Sequence, residues 1–372
     1  MKLLSFSKTK LILVVFVAAI MLGSGIARAD FGFGKPTNLG PIVNSLSADY
    51  DPCISADGLE FFFITNRPGG VGGYDLYVAS RTNTSEAWMT IENLGSVVNS
   101  NDNEGGPSIS ADGLSLYFVS DRPGGLGNKD LYITTRTSTV DPWGEPENLG
   151  SVVNSTAHES VPSISFDGLE LYFSDHARPP YRADGLGGQD LWMTTRTSVD
   201  EQWATPTNLG PEVSTSTWEG GPSISSDGLV LFFHRWRGIG NDDWDIYMAR
   251  RETKNDPWTE VTNLGPGLNT PDKESNPCIS ADGCTLYFVS MREGSVGDND
   301  LWQVPIVPIC DFNGDIKIDT DDLLIMMDNW STDESLCDIG PMPWGDGVVD
   351  IEDLTVFIEY WEQENMPQDS EE

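Results

Sequence analysis

One pattern recurs five times along the 372-residue chain and constrains its fold more than any other feature. The tripeptide Asn-Leu-Gly begins at Asn38, Asn93, Asn148, Asn208 and Asn263. The turn Ser-x-Asp-Gly places its aspartate at Asp57, Asp112, Asp167, Asp227 and Asp282. Both series advance by 55, 55, 60 and 55 residues. A third marker, Asp-(Leu/Ile)-(Tyr/Trp), starts at Asp75, Asp130, Asp190, Asp245 and Asp300, and Trp88, Trp143, Trp203 and Trp258 each stand five positions before an Asn-Leu-Gly. Fixed self-similarity of this length means that one supersecondary unit is repeated in space.

Each unit reads as four short strands. In the second unit they are residues 107–110, 114–120, 130–136 and 143–149, the first two joined by an Asp-Gly turn suited to a tight hairpin. Pro and Gly punctuate every junction, and no helical period appears before residue 319. Four-stranded units repeated around an axis predict an all-β fold, a β-propeller, with an open solenoid as the competing geometry. The fifth unit ends after Leu301 and Trp302 without its own Asn-Leu-Gly strand, while Phe33 and Asn38 form a spare copy ahead of the first unit. The expectation is a five-bladed β-propeller of four-stranded antiparallel sheets over residues 30–305, closed by an N-terminal strand that removes two exposed sheet edges. The run Pro-Ser-Ile-Ser-x-Asp-Gly-x-x-Leu-Tyr-Phe-x-Ser-x-Arg, clearest at 107–122, resembles the WD40-like β-propeller repeat of TolB-type proteins. That resemblance covers residues 31–305 and implies a fold, not an activity.

After a linker at 306–309 the composition changes: residues 310–372 hold 19 acids and one base, Lys317. Asp311, Asn313, Asp315, Asp319 and Asp322 occupy positions 1, 3, 5, 9 and 12 of a loop in which Lys317 offers its backbone carbonyl at position 7. Oxygen ligands at that spacing wrap one Ca²⁺, and residues 323–330 follow as an amphipathic helix. A second copy lies 31 residues on, with Asp346, the carbonyl of Val348, Asp350 and Asp353, then a helix at 354–361. Its first half departs from the pattern, since Met342 and Trp344 stand where ligands belong; Asp338 serves as first ligand if 339–342 loops out. The paired loop-helix unit resembles a dockerin type I domain over 310–364, ahead of an acidic tail at 365–372. The resemblance implies a small α-helical module that binds Ca²⁺ and presents its helices to a cohesin-like partner, often within polysaccharide-degrading assemblies. Recognition in that family commonly uses loop positions 10 and 11, here Thr320 and Asp321, then Ile351 and Glu352, which are not the usual hydroxyl pair. A calcium-stabilised cap without such a partner is the alternative.

Residues 1–29 read as a secretory signal: Lys2, Lys8 and Lys10 precede an apolar run at 11–22, and Ala27-Arg28-Ala29 is a small-residue cleavage site. The run is too short to span a bilayer, so a secreted or cell-surface protein is expected. A net charge of −37 argues against nucleic acid and anionic membrane surfaces as partners. Export permits disulfides. Cys310 and Cys337 precede equivalent loop positions, whereas no pairing among Cys53, Cys278 and Cys284 follows from the sequence.

Strand alternation puts the Asp-Gly turns on one face of the ring and the long loops on the other. On the loop face an acid recurs as Asp49, Glu104, Glu159, Glu219 and Glu274, and an arginine as Arg67, Arg122, Arg178, Arg237 and Arg292. A feature repeated in every blade reads as a structural pair. Asymmetry marks the candidate site instead: His158, His176 and His234 all fall in units three and four, with Tyr181, Arg182, Trp218 and Trp236 in the same loops. Aromatic rings beside polar side chains suit a polysaccharide. A glycan- or protein-binding, non-catalytic propeller is therefore the leading expectation. A glycoside hydrolase would need two facing carboxylates, for which Asp184, Asp242 and Asp243 are the acids outside the repeat in these loops. A purely structural surface protein is the third.

Overall fold

The structure is a computed structural model that describes residues 31–175, 179–238, 243–310, 312, 318–332, 337–340 and 348–365. The proposed signal segment and part of both acidic loops lie outside the described residues. Two compact units divide between Val307 and Pro308, residues 32–307 forming the larger.

The larger unit is a five-bladed propeller, and its blades follow the repeat. The leading segment supplies β1 (Phe31–Phe33) and β2 (Thr37–Asn38). Blade one comprises β3 (Asp49–Ile54), β4 (Glu60–Thr65), β5 (Asp75–Ser80) and β6 (Thr90–Asn93); blade two has β7 (Glu104–Ile109), β8 (Ser115–Ser120), β9 (Asp130–Thr135) and β10 (Glu147–Asn148). Blade three follows with β11 (Glu159–Ile164), β12 (Glu170–Asp175), β13 (Leu191–Thr195) and β14 (Thr207–Asn208), and blade four with β15 (Glu219–Ile224), β16 (Val230–Trp236), β17 (Trp244–Arg250) and β18 (Thr259–Asn263). Blade five holds β19 (Glu274–Ile279), β20 (Thr285–Ser290) and β21 (Asp300–Pro308). All pairings within blades one to four are antiparallel meanders.

The markers each make a specific contact. In four of the five blades the Asn of Asn-Leu-Gly donates through Nδ2 to the third-strand aspartate, as Asn93 to Asp75 at 2.9 Å and Asn148 to Asp130 at 2.9 Å, tying outer strand to neighbour. Its Oδ1 accepts from the glycine N–H two residues on, as at Gly95. That glycine has φ +78°, a left-handed conformation that a side chain would disfavour. The turn aspartate is bridged by the serine before it, Ser55 Oγ to Asp57 at 2.6 Å. Trp88, Trp143, Trp203 and Trp258 lie beneath Arg81, Arg136, Arg196 and Arg251, whose guanidinium carbons sit 4.3, 4.4, 4.3 and 4.6 Å from the ring centroids. Apolar side chains of adjacent blades interdigitate: Phe61, Phe63 and Trp88 of blade one pack with Tyr287, Val289 and Leu301 of blade five.

The leading segment closes the ring as the spare repeat copy implies. Thr37 pairs with Gln303 and Asn38 with Trp302, antiparallel, and β1 joins the same sheet, giving blade five a fifth strand. Asn38 donates to Asp300 at 2.8 Å and accepts from Gly40 N–H and Asn44 Nδ2. Three sequence expectations need correction. The outer strand of blade two covers Glu147–Asn148 rather than 143–149, because Trp143 is engaged by Arg136. One-turn helices occur at Gly40–Val43 and Gly95–Val98, where a glycine-led loop dips to bury one valine. β21 continues through most of the 306–309 segment read as a linker.

The smaller unit holds helices Thr320–Asp328 and Ile351–Asn365 over a core of Cys310, Phe312, Met326, Cys337, Ile339, Val349 and Phe357. Cys310 and Cys337 are both buried in that core. Among the described residues no helix is long and apolar enough to cross a membrane.

Replacing Asn38 by Ala removes three hydrogen bonds at the closure and is expected to destabilise the propeller by about 2 kcal/mol in urea unfolding. A loss below about 0.5 kcal/mol, the level of a neutral surface change, would mean that the leading strand does not complete the fifth blade.

Candidate functional site

The recurring acids and arginines form one buried pair in every blade. Arg67 meets Asp49 at 2.7 Å, Arg122 meets Glu104 at 3.1 Å, and Arg292 meets Glu274 at 3.0 Å. In blades three and four the partners differ from the sequence expectation. Arg182 reaches Glu159 at 2.7 Å, Arg178 lying outside the described residues, and Arg235, not Arg237, reaches Glu219 at 3.0 Å. Each guanidinium also donates to a loop carbonyl, that of Val43, Val98, Val153, Val213 or Leu268, and lies over aromatic rings such as Phe118 and Tyr132. All five acids are fully buried, so these pairs build blades. Arg182, expected among the ligand-binding residues, is engaged in this pair with a side chain only 9% exposed. Burial pushes the Glu159 carboxyl up to about 7, against the Arg182 charge and the Ser155 donors that lower it.

The other predicted residues separate into two groups. His158 sits beside Asn128, ring nitrogen to amide nitrogen 2.8 Å, and Tyr181 is an exposed loop residue of blade three. His176 lies outside the described residues. Trp218, Trp236 and His234 do come together, on blade four. Trp218 stacks on Trp236 with centroids 4.8 Å apart and planes at 21°, and Trp244 leans against Trp218 at 6.2 Å. All three are partly exposed. Sequence reasoning missed Trp244, although the residue before each third-strand aspartate is otherwise Tyr74, Lys129, Gln189 or Asn299. The platform exists because β16 and β17 run seven residues, one longer than most of their counterparts, so Trp236 pairs with Trp244 across the strands. Arg237, released from the acid of its blade, pairs with Asp243 and Asp245 and donates to the carbonyls of Thr270 and Pro271.

His234, expected among the ligand-binding residues, is buried. Its Nδ1 accepts from Asn276 N–H at 3.0 Å, and its ring meets Trp244 edge to face at 4.8 Å. Burial, aided by the nearby Lys273 charge, lowers its pKa to about 3. Gly220 makes room: a Cβ there would lie 2.4 Å from Gln189 Nε2 and 2.7 Å from His234 Nε2. Every inner strand bulges at one left-handed residue, namely Asp51, Gly106, Val161, Gly221 or Asn276. Three of these are not glycine, which costs about 1–3 kcal/mol each and is common at functional sites. Asp51 bonds to Asn276 and accepts from Gly106 N–H at 2.8 Å, and burial raises its carboxyl pKa. The cavity behind this ring is only about 30 Å³, room for one water and not for a sugar.

A larger cavity, about 510 Å³, opens on the turn face between blades five and one and is lined by Lys35, Arg81, Asp57, Asp282, Gln303 and Tyr287. Its aspartates are the repeated turn residues, already bonded within their turns.

In the smaller unit the proposed ligands at loop positions 9 and 12 adopt the same arrangement twice. Asp322 accepts from Asp319 N–H at 2.9 Å, and Asp353 from Asp350 N–H at 2.6 Å, capping the two helices. Asp353 also accepts from the N–H groups of Ile339 and Gly340, which brings the segment just after Asp338 against it. Val348 is exposed. Asp311, Asn313, Asp315, Lys317 and Asp346 lie outside the described residues. Among the described residues no three His, Cys, Asp or Glu side chains gather in a metal-binding group.

No family model matches the chain, and no curated protein does. Solved structures share the propeller. The catalytic domain of a GH62 α-L-arabinofuranosidase from Coprinopsis cinerea superposes with a TM-score of 0.50 at 14% identity, over 75% of this chain and 97% of that one. TolB from Acinetobacter baumannii gives 0.45 at 14% identity, over 78% of this chain and 67% of its own. An α-L-arabinofuranosidase from Podospora anserina, solved with cellotriose, gives 0.49 at 14% identity, over 76% and 98%. At such identity the likeness speaks for the fold.

Histidine burial has a signed consequence. The folded pKa of about 3 lies below the ordinary 6.5, so between those values the unfolded chain takes up a proton that the folded chain refuses. Stability from this group is present above pH 6.5 and is lost as pH falls toward 3. Glu159 acts in the opposite sense: its carboxyl is raised from 4.5 to about 7, so its contribution favours the folded state at acid pH and fades as pH rises through 7. A His234→Gln variant, neutral throughout, should therefore show a flatter acid limb than the parent in urea titrations between pH 4 and 7. Parallel curves would contradict the assignment.

Proposed function

We propose that this protein is an exported, sugar-binding propeller that grips a neutral polysaccharide at the mouth of its channel and carries a calcium-binding C-terminal module. The observation that carries the reading is the partly exposed stack of Trp218, Trp236 and Trp244 on blade four. Sugar rings present flat C–H faces to such surfaces, and the polar groups that orient them stand alongside. Gln189 is one of them, its backbone bridged in parallel to that of Trp218.

Binding is favoured over hydrolysis by the residues that ring the channel. Glycoside hydrolysis uses two carboxylates on opposite sides of the scissile bond. Of the five bulge positions facing the axis, one holds a carboxylate, Asp51, and its oxygens already bond to Asn276 and Gly106. The GH62 enzyme on the same fold makes arabinose-bearing oligosaccharides sensible first probes.

The C-terminal unit fits Ca²⁺ in the character of its donors: Asp322 and Asp353 are wholly buried carboxylates held at helix N-termini, beside acidic loops of the expected spacing. Asp319, Asp322, Asp350 and Asp353 would hold the ions with the loop residues ahead of them, and Asp338 would replace the missing first ligand of the second loop. The ion would neutralise charge that otherwise repels across the unit. Docking to a cohesin-like protein partner in an extracellular polysaccharide-degrading assembly belongs to the same proposal.

A panel of soluble polysaccharides and arabinose-bearing oligosaccharides tests the first part by affinity electrophoresis and product analysis. Retardation without released sugar is expected, with a loss of at least tenfold in affinity for Trp236→Ala. Unchanged retardation in that variant would remove the platform from the reading, and released sugar would replace binding with catalysis. For the second part, Ca²⁺ added to the chelator-treated full chain should bind at about two ions per chain. The Asp322→Ala variant should bind about one fewer; no binding at millimolar Ca²⁺ would contradict the module.

A further inference from the structure

The inner strands carry a second repeated contact, independent of the sugar-binding surface. At one position per blade a small side chain facing the axis accepts a hydrogen bond from the backbone of the next blade. Ser108 Oγ accepts from Ile164 N–H at 3.0 Å, Ser163 from Ile224 at 3.1 Å, and Ser223 from Ile279 at 3.0 Å. The remaining two positions of this ring are not serine. They are Cys53, whose Sγ accepts from Ile109 N–H at 3.3 Å, and Cys278, which accepts from Ile54 N–H.

These two blades are the first and the last, and they meet at the seam where the chain closes on itself. Serine is replaced on both sides of that seam and in no other blade. The consequence is geometric. Cys278 bonds to the residue directly after Cys53, packs against the apolar cluster that contains Cys53, and lines the same small axial cavity. The two cysteines thus share one apolar cluster and one cavity across the seam. Cys284, the third cysteine of the propeller, sits instead at the end of the Asp282 turn with its thiol toward Asp282 O at 3.4 Å.

We propose that Cys53 and Cys278 form a disulfide that fastens the propeller covalently across its closure. The step is a thiol–disulfide exchange with an external disulfide oxidant. One cysteine thiolate attacks the oxidant's sulfur and releases a thiol, and the second then attacks the mixed disulfide and releases another. Two protein thiols become one cystine as the oxidant's disulfide is reduced to two thiols. The bond joins positions 225 residues apart and so constrains the unfolded chain strongly. It also divides closure between two devices: the hydrogen-bonded strand β2 at the rim and a covalent link at the axis.

The test uses the purified, fully reduced full chain incubated with oxidised glutathione, alkylated and digested without reductant, so its outcome is independent of localisation and of sugar binding. A cross-linked peptide pair containing Cys53 and Cys278 is expected. The Tm of the oxidised protein should fall by several degrees on adding a phosphine reductant. The double variant Cys53→Ser/Cys278→Ser restores the serine of the other blades and should fold. Its melting should be unaffected by reductant as far as the propeller transition goes. Full alkylation of Cys53 and Cys278 after oxidation, a cross-link from either to Cys284, or a reductant effect of equal size in the double variant would each overturn the proposal.

Discussion

The buried acid–arginine pair is the contact on which the propeller depends. In each blade a carboxylate at the start of the inner strand is removed from water and neutralised by one guanidinium, which also takes up the carbonyl of the incoming loop. Losing one member of a buried pair costs about 3–5 kcal/mol, because the other is left charged and dry. Every loop on this face is therefore held by the same clamp. Where the clamp is built differently, the loops are free to differ. Blade three draws its arginine from an enlarged loop, and blade four draws it from within the second strand. That shift lets β16 run on to Trp236 and frees Arg237 to brace the loop entering blade five. The aromatic surface is thus a consequence of how one blade satisfies an obligation common to all five.

The architecture was legible in the sequence because its markers are residues that the backbone cannot do without. An Asn that bonds its own strand, its neighbour and a left-handed glycine cannot drift, and neither can an aspartate that receives two loop N–H groups. Ring closure could be inferred because the orphan copy around Asn38 had an obvious vacancy to fill. The identity of the clamping arginines was not legible in blades three and four. Spacing points to Arg237 in blade four, whereas strand length selects Arg235, and in blade three Arg182 makes the pair.

Side-chain orientation was equally hidden. His234 reads from the sequence as one of the loop residues, yet it sits within β16 and turns inward against Asn276. Trp244 was passed over because it precedes a marker instead of falling in a gap, and Asp51 because its carboxyl becomes notable only once five bulges are brought around one axis. Both stand out when the repeats are compared position by position. In the C-terminal unit the matching caps at Asp319–Asp322 and Asp350–Asp353 mirror the 31-residue sequence offset, so the duplication is physical as well as textual.

The proposed sugar site lies on the loop face of blade four. Hydrogen–deuterium exchange of the full chain, with and without a retarded oligosaccharide, reads this directly. Slowed exchange is predicted in peptides spanning residues 215–220 and 232–248, with the turn-face cavity around residues 54–58 and 280–285 unaffected. Protection confined to that cavity, or spread evenly over all five blades, would contradict it.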